Sequence, residues 1–508
     1  MKSEFAIWAK VLGLVLILAL VIWPGLFNRQ PFFSTDTSAY IRGADAGIQQ
    51  LTGISSSWSM TAPAREEGDD TPPAAGQPDR GVGNAISADD QTVLAGRSIY
   101  YGMFLYAGHV AGGFWLTICI QGLVLAYLAS MVLKACGLRD AAFLGPSVLL
   151  LSMTPAALFA SYLMPDMFAA TTILCCSLLL VPADRSRAQK LVLFVILLFS
   201  LLVHASHVLL AFLLLLLGSI APLLGFKGFN LRGLPVIAVA LALAFAGELI
   251  FSAGVARFTG HPPVRPPFLM ARVIEDGPGY RYLKEECPRS TLAVCRYLDR
   301  LPLSANDFLW AEDQIHGVFS ASDPETRREL SREQFQVVLG AVQREPWTLF
   351  RAAVANALRQ ARMIGLPAFQ YSRFDRELFV QKFPPEVTRR LKQTAAYQGR
   401  MPIRLLSALS YTLASVGVVY ILWKVLRGRL NASSIGPGTA RLSALVLLGV
   451  AANACICGAL SVPFDRYQAR VVWLVPFIAL LVDFKSRPVW WIGVFARVLR
   501  RGGPTVFR

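Results

Sequence analysis

The chain has 508 residues, 55% hydrophobic and only 16% charged, with a formal net charge of +17 and a mean hydropathy of +0.50. This is too apolar for an ordinary soluble domain, so lipid is its main solvent. The cations fall in short loops between apolar runs and in one long polar insert, which argues against nucleic acid as a partner.

A bilayer core about 30 Å thick takes roughly 20 apolar residues per helix, and about ten segments qualify. They are 5–27, 110–133, 141–161, 166–182, 189–203, 206–224, 234–253, 403–426, 440–461 and 468–483. The first exceeds a signal-peptide core and has no small-residue cleavage site after Trp23-Pro24, so it reads as a retained anchor, with Lys10 reaching back to headgroups. Residues 28–97 form a first outer loop. It opens with PFFSTDTSAYIR (31–42), where a short helix over 37–47 is expected. A Pro/Gly/acidic stretch over 61–84, with Glu66, Glu67, Asp69 and Asp70, follows and reads as solvated loop. The aromatic stretch 96–109 reads as a short interfacial helix.

The run 191–225 is either one overlong helix or a hairpin broken at His204-Ala-Ser-His207, and the choice sets the side of everything downstream. With a hairpin and a cytoplasmic N-terminus, one side collects Lys134, Arg139, Arg185, Arg187, Lys190, Lys227, Arg232, Lys424, Arg427, Arg429 and Arg441. The tail cations Lys485, Arg487, Arg497, Arg500, Arg501 and Arg508 join them. Short cytoplasmic loops favour Lys and Arg, so the hairpin is the better reading. The expected architecture is an all-α polytopic membrane protein with three parts. These are a transmembrane module over 1–253, a mostly helical extracytoplasmic insert over 254–402, and C-terminal helices with a basic tail over 403–508.

Within the insert, Phe335, Val338, Leu339 and Val342 recur at spacings of three and four and predict an amphipathic helix. Glu345-Pro346 ends it and a second helix starts at Trp347. Cys287 and Cys295, the two cysteines outside the spans, are candidates for a disulfide in an oxidising compartment. The other six pack most simply as small hydrophobes.

Charges beside hydrocarbon are costly and mark function, and here they gather at one set of span ends. Asp36 follows the first span closely and can act as a general base, or merely cap the helix that begins at Thr37. Asp166, after Pro165, carries the same two readings. His204 and His207 can contact a phosphate, satisfy backbone groups at the turn, or join Asp36 or Asp166 around a divalent metal. Arg466 and Arg470, four apart, can reach one anion if their segment is helical, with Tyr467 between them; interfacial anchoring is the alternative. Asp465 precedes them, and Glu248 lies near the outer end of its own span, within reach of either the site or water.

These residues together resemble the GT-C superfamily of polytopic glycosyltransferases, which use polyprenyl-phosphate-linked sugars. The resemblance rests on Asp36-Thr-Ser-Ala-Tyr40 in the first outer loop, the stretch from Arg97 to Tyr106, Pro165-Asp166, the histidine turn and Arg466-Tyr-Gln-Ala-Arg470. It implies Asp36 as the base, Asp166 as a second carboxylate, and Tyr40 and Arg42 on the acceptor side. Arg466, Arg470 and Tyr467, with His204 or His207, would then hold the lipid phosphate. It further implies a glycan or glycolipid acceptor, surrounding membrane lipids, and a bacterial inner-membrane location with both termini cytoplasmic. Many members carry an acidic pair in the first loop, whereas here Arg42 separates Asp36 from Asp45, which leaves dependence on a divalent metal open. A transporter or flippase of a lipid-linked intermediate, or a transferase of a non-glycosyl envelope group, is the competing reading. Transporters are marked by repeats and midplane polar groups, and no repeat is visible.

Overall fold

The computed structural model describes residues 2–54, 56–59, 93–313, 315–428 and 432–487, with 490 and 493; side chains at 2–7, 9, 10, 141 and 432 are not described. The acidic stretch over 61–84, Arg429, the Lys10 side chain and the tail arginines at 497, 500, 501 and 508 lie outside that set. Among the described residues the regular structure is helical apart from two isolated β-bridges.

The N-terminal part comprises α1 (Lys2–Val21), α2 (Trp23–Asn28), α3 (Thr37–Thr52), α4 (Ile99–Gly112), α5 (Trp115–Ala135), α6 (Ala141–Met153), α7 (Pro155–Ala160), α8 (Met167–Leu180), α9 (Arg187–Leu202), α10 (Ala205–Leu223) and α11 (Gly233–Thr259). Among the described residues, five helices are long and apolar enough to cross a membrane: α5, α10, α11, α19 (Ile403–Leu426) and α21 (Pro437–Leu460). Shorter apolar stretches lie over Val11–Val21, Ala142–Met153 and Met167–Leu180. Two of the ten expected spans are interrupted, each for a local reason. Thr154 turns extended ahead of Pro155 and divides the segment 141–161 into α6 and α7. The last expected span divides at Trp473 into α22 (Asp465–Val472) and α23 (Leu474–Ser486), whose Pro476 sits in the first turn, where no backbone donor is needed. Leu191, Val195, Phe212, Phe245, Val416 and Val419 project outward as an apolar skin, as a bundle dissolved in lipid requires.

The hairpin reading of 191–225 holds. Thr171 near the start of α8 hydrogen bonds Ser200 near the end of α9 at 2.8 Å, so these two run antiparallel. Gly218 near the end of α10 lies against Leu180 at the end of α8, so α8 and α10 run parallel. The chain therefore reverses at Val203-His204. Helix α11 returns the other way, with Asn230 donating to the Leu180 carbonyl at 2.7 Å and Gly247 accepting from Tyr100 at 2.7 Å.

These pairings give the bundle two distinct ends. At the basic end, Gly438 of α21 approaches Ala135, Lys485 approaches Gly137, and Arg441 donates to the Lys227 carbonyl at 3.1 Å. There too lie Lys134, Arg139 and Arg185. At the opposite end lie the first loop, the histidine turn, α22 and the insert.

The insert does not form one separate unit. Helices α12 (Phe268–Glu275), α13 (Pro278–Glu286), α14 (Ala305–Trp310) and α15 (Pro324–Arg344) enclose their own core around Ile274, Phe308, Phe319 and Leu330. Cys287 and Cys295 are joined as a disulfide within it, Cα atoms 5.3 Å apart. Helix α16 (Pro346–Arg362) lies instead along α21, where Gly458 fits against Asn356 and Ala357. Helices α17 (Arg373–Lys382) and α18 (Pro385–Leu391) share a core with the first loop, built on Phe32, Phe33, Phe369, Phe379 and Phe383. Helix α20 (Ala432–Ile435) is a single turn ahead of α21. The amphipathic pattern in α15 faces the other way from a core stripe: Phe335, Leu339 and Val342 are exposed, while Leu330, Val337 and Ala341 are buried.

Candidate functional site

Two loops are laid side by side to form the site. Phe32 pairs with Tyr162 in a parallel bridge, Phe32 donating to the Ser161 carbonyl and Leu163 to the Phe32 carbonyl, both at 2.9 Å. Thr37 Oγ1 then donates to the Leu163 carbonyl at 3.1 Å. This brings Asp36 and Asp166, 130 residues apart in sequence, to the same end of the bundle. Helix α4 closes on α3 through Gly102, where a Cβ would collide with the Tyr40 carbonyl.

Neither carboxylate caps its helix. Asp36 precedes α3 and Asp166 precedes α8, yet neither side chain accepts from the helix's backbone. Asp36 Oδ1 instead accepts from Arg97 Nη2 at 2.7 Å, in a pair whose side chains are 29% and 23% exposed. Arg97 opens the stretch to Tyr106 that carries part of the resemblance, but nothing in the sequence assigns its side chain a role. It is placed by the bridge between Leu94 and Val264, where Ala95 donates to the Val264 carbonyl at 2.8 Å, and its guanidinium lies 5.8 Å from the Trp310 ring. Burial alone would raise the Asp36 pKa, but the charges of Arg97, Arg466 and Lys382 outweigh it and hold this carboxyl below its usual range.

Asp166 is shared by two arginines. With α22 helical, Arg466 Nε and Arg470 Nη1 approach Asp166 Oδ1 at 3.6 and 3.5 Å, so the anion that both reach is this carboxylate. Arg470 is 1% exposed, and its Nη2 also donates to Asn453 Oδ1 at 3.2 Å and Ser206 Oγ at 3.3 Å. Arg466 is the more open of the two and donates to the Tyr162 hydroxyl at 3.4 Å. Tyr467 lies beneath both guanidiniums, 5.6 and 5.4 Å from its ring centre. The Nε atoms of Arg97, Arg466 and Arg470 are buried without a hydrogen bond, so the cluster retains donors for a further anion.

The histidines take the backbone-satisfying role at the turn. The Ser206 backbone N–H donates to His204 Nδ1 at 3.2 Å. His207 Nδ1 lies 2.8 Å from the Ser200 carbonyl, which can only accept, so the proton sits on Nδ1 and Nε2 is left as a buried, unpartnered acceptor. Among the described residues no group of three His, Cys, Asp or Glu side chains converges as a metal site, and both carboxylates are turned toward guanidiniums.

Of the remaining candidates, Tyr40 is buried within electrostatic reach of Asp36, Arg97, Asp166 and Arg466, and the others lie at the margin. Arg42 donates to the Lys382 carbonyl at 2.8 Å and ties α3 to α17. Tyr40 packs edge-on to Tyr101 at 5.2 Å. Asp465 accepts from the Gly365 backbone at 2.7 Å, and Glu248 pairs with Arg265 at 2.6 Å on the surface, so neither faces the cluster. Cavities of about 450 and 490 Å³ lie at the opposite, basic end. No protein-family model, curated protein or solved structure matches the chain.

Proposed function

We propose that this chain is a membrane glycosyltransferase that moves a sugar from a polyprenyl-phosphate donor to an extracytoplasmic glycan or glycolipid, with inversion at the anomeric carbon. The observation that carries the reading is the pairing of Asp36 with Arg97 beside the Asp166, Arg466 and Arg470 cluster at one end of the bundle. Three guanidiniums face two carboxylates there, an excess suited to one more anion, and arginine's planar fork suits phosphate.

In this reading the acceptor oxygen attacks the anomeric carbon as Asp36 takes its proton. The bond from that carbon to the phosphate oxygen breaks, and the leaving polyprenyl phosphate gains a negative charge that Arg97 and Arg466 stabilise. A carboxylate held by Arg97 is a weak base. Rotation of Arg97 from Asp36 onto the donor phosphate would release Asp36 for its task, so the ion pair keeps the base at rest until donor binds. Arg470 acts through Asp166, holding it in place for Arg466. The insert end faces away from the cytoplasm because the Lys- and Arg-rich loops gather at the other end.

Asp36→Asn tests the chemistry. The variant should insert and fold, and lose transfer by about 10²- to 10⁴-fold, the range for removal of a general base. The readout is envelope glycan profiling of cells carrying only the variant; glycans identical to wild type would reduce Asp36 to a partner of Arg97. For sidedness, Glu325→Cys, at an exposed position of the insert, should react with a membrane-impermeant thiol reagent in intact cells. Protection there would reverse the orientation.

A further inference from the structure

Pro182 follows the end of α8, and the turn after it brings Arg185 beneath the last turn of α5. Between them is a cavity of about 450 Å³, lined by Lys134 and Arg139 on one side and Pro182, Asp184 and Arg185 on the other. Arg185 is 8% exposed. Its Nη1 donates to the Val181 carbonyl at 3.1 Å, while Nε and Nη2 are buried with no hydrogen-bond partner. Asp184 lines the same cavity without taking up those two donors. The Tyr127 hydroxyl, also buried and unpartnered, is within electrostatic reach of Arg185. Lys134 and Arg139 are exposed at the rim, and Lys485 approaches Gly137 beside them.

A buried guanidinium with two unsatisfied nitrogens is costly unless an anion completes it. The position also matters: the cavity sits where α5 and α8 end and α9 begins, the end of a spanning bundle that meets the headgroup layer of a leaflet. We propose that this cavity binds a phosphate ester through Arg185, with Lys134 and Arg139 closing over it, the ester being carried by a lipid headgroup of that leaflet or by a soluble phosphate. Arg185 presents a planar pair of donors, which a phosphate oxygen pair matches. Met131 and Ala135 supply an apolar wall on the bundle side. The inference is independent of the glycosyl-transfer reading, because none of these residues lies near Asp36 or Asp166.

The test uses the full chain in a neutral detergent, titrated with phosphatidylglycerol and with diacylglycerol of the same acyl chains, binding being read by native mass spectrometry. Phosphatidylglycerol should bind at least about tenfold more tightly, and Arg185→Gln should remove about that factor. Lys134→Gln with Arg139→Gln, both at the exposed rim, should weaken it a few-fold and leave the melting temperature unchanged. Displacement of the lipid by millimolar inorganic phosphate would assign the site to a soluble phosphate; no displacement would assign it to the headgroup. Equal binding of the two lipids together with no binding of inorganic phosphate would overturn the proposal. So would wild-type lipid affinity in Arg185→Gln, or in the rim variant should Arg185→Gln fail to fold.

Discussion

Buried arginines at the two ends of this bundle solve the same problem in opposite ways. At the insert end Arg470 is enclosed by Asp166, Asn453 and Ser206, and Arg97 holds Asp36. At the basic end Arg185 is nearly as buried, yet two of its nitrogens meet nothing in the protein. Burial of a charge costs several kcal/mol after relaxation, so the first arrangement is compensated within the chain and the second depends on its surroundings. Removal of an anionic partner should therefore be severe at one end, and removal of the cation mild at the other.

The largest effect is expected from Asp166→Asn. It leaves Arg466 and Arg470 without their shared carboxylate and should lower stability by about 3–5 kcal/mol, read as a drop in thermal midpoint in detergent. Adding Arg470→Met should recover much of that loss, because the buried charge leaves with its partner. A single Asp166→Asn variant as stable as wild type would mean that the arginines are neutralised by some other group.

How much of this contrast could be read in the sequence depends on whether its cause is local. The hairpin at His204 to His207 and the gathering of Lys134, Arg185, Lys227 and Arg441 at one end were readable, since span length and loop charge are properties of short segments. The role of Arg97 was not. This arginine lies 61 residues from Asp36, with no periodicity to mark it, and only the bridge between Leu94 and Val264 brings it in. The pattern Phe335, Val338, Leu339 and Val342 correctly signalled an amphipathic helix but not which way it faces. Spacing states that one face is apolar, but not whether that face turns toward the core or away from it. Asp36 and Asp166 each began a helix, so capping and chemistry looked alike until the side chains were seen to turn away.

A smaller effect should follow from Arg185→Met in lipid-free detergent. Removing an uncompensated buried charge costs little, so stability should stay within about 1 kcal/mol of wild type or rise. A loss beyond about 2 kcal/mol would show that the Arg185 to Val181 hydrogen bond is structural in its own right and would erase the contrast between the ends.

The smallest effect, and the most specific, concerns pH. Burial pushes Asp36 up, but Arg97, Arg466 and Lys382 together leave its folded pKa below the ordinary carboxylate value. A group with a depressed folded pKa binds protons more readily when unfolded, so its pairing stabilises the fold fully above the unfolded value of about 3.9. That contribution fades as pH falls through the lower folded value. For a pair this close to water it should be about 1 kcal/mol or less. Wild type and Arg97→Gln compared by thermal unfolding between pH 3 and pH 7 should differ by a constant amount above about pH 5, and the gap should close below about pH 4. A gap that widened on acidification would mean that Arg97 stabilises the protonated acid, and the picture of a resting base held by its arginine would have to be abandoned.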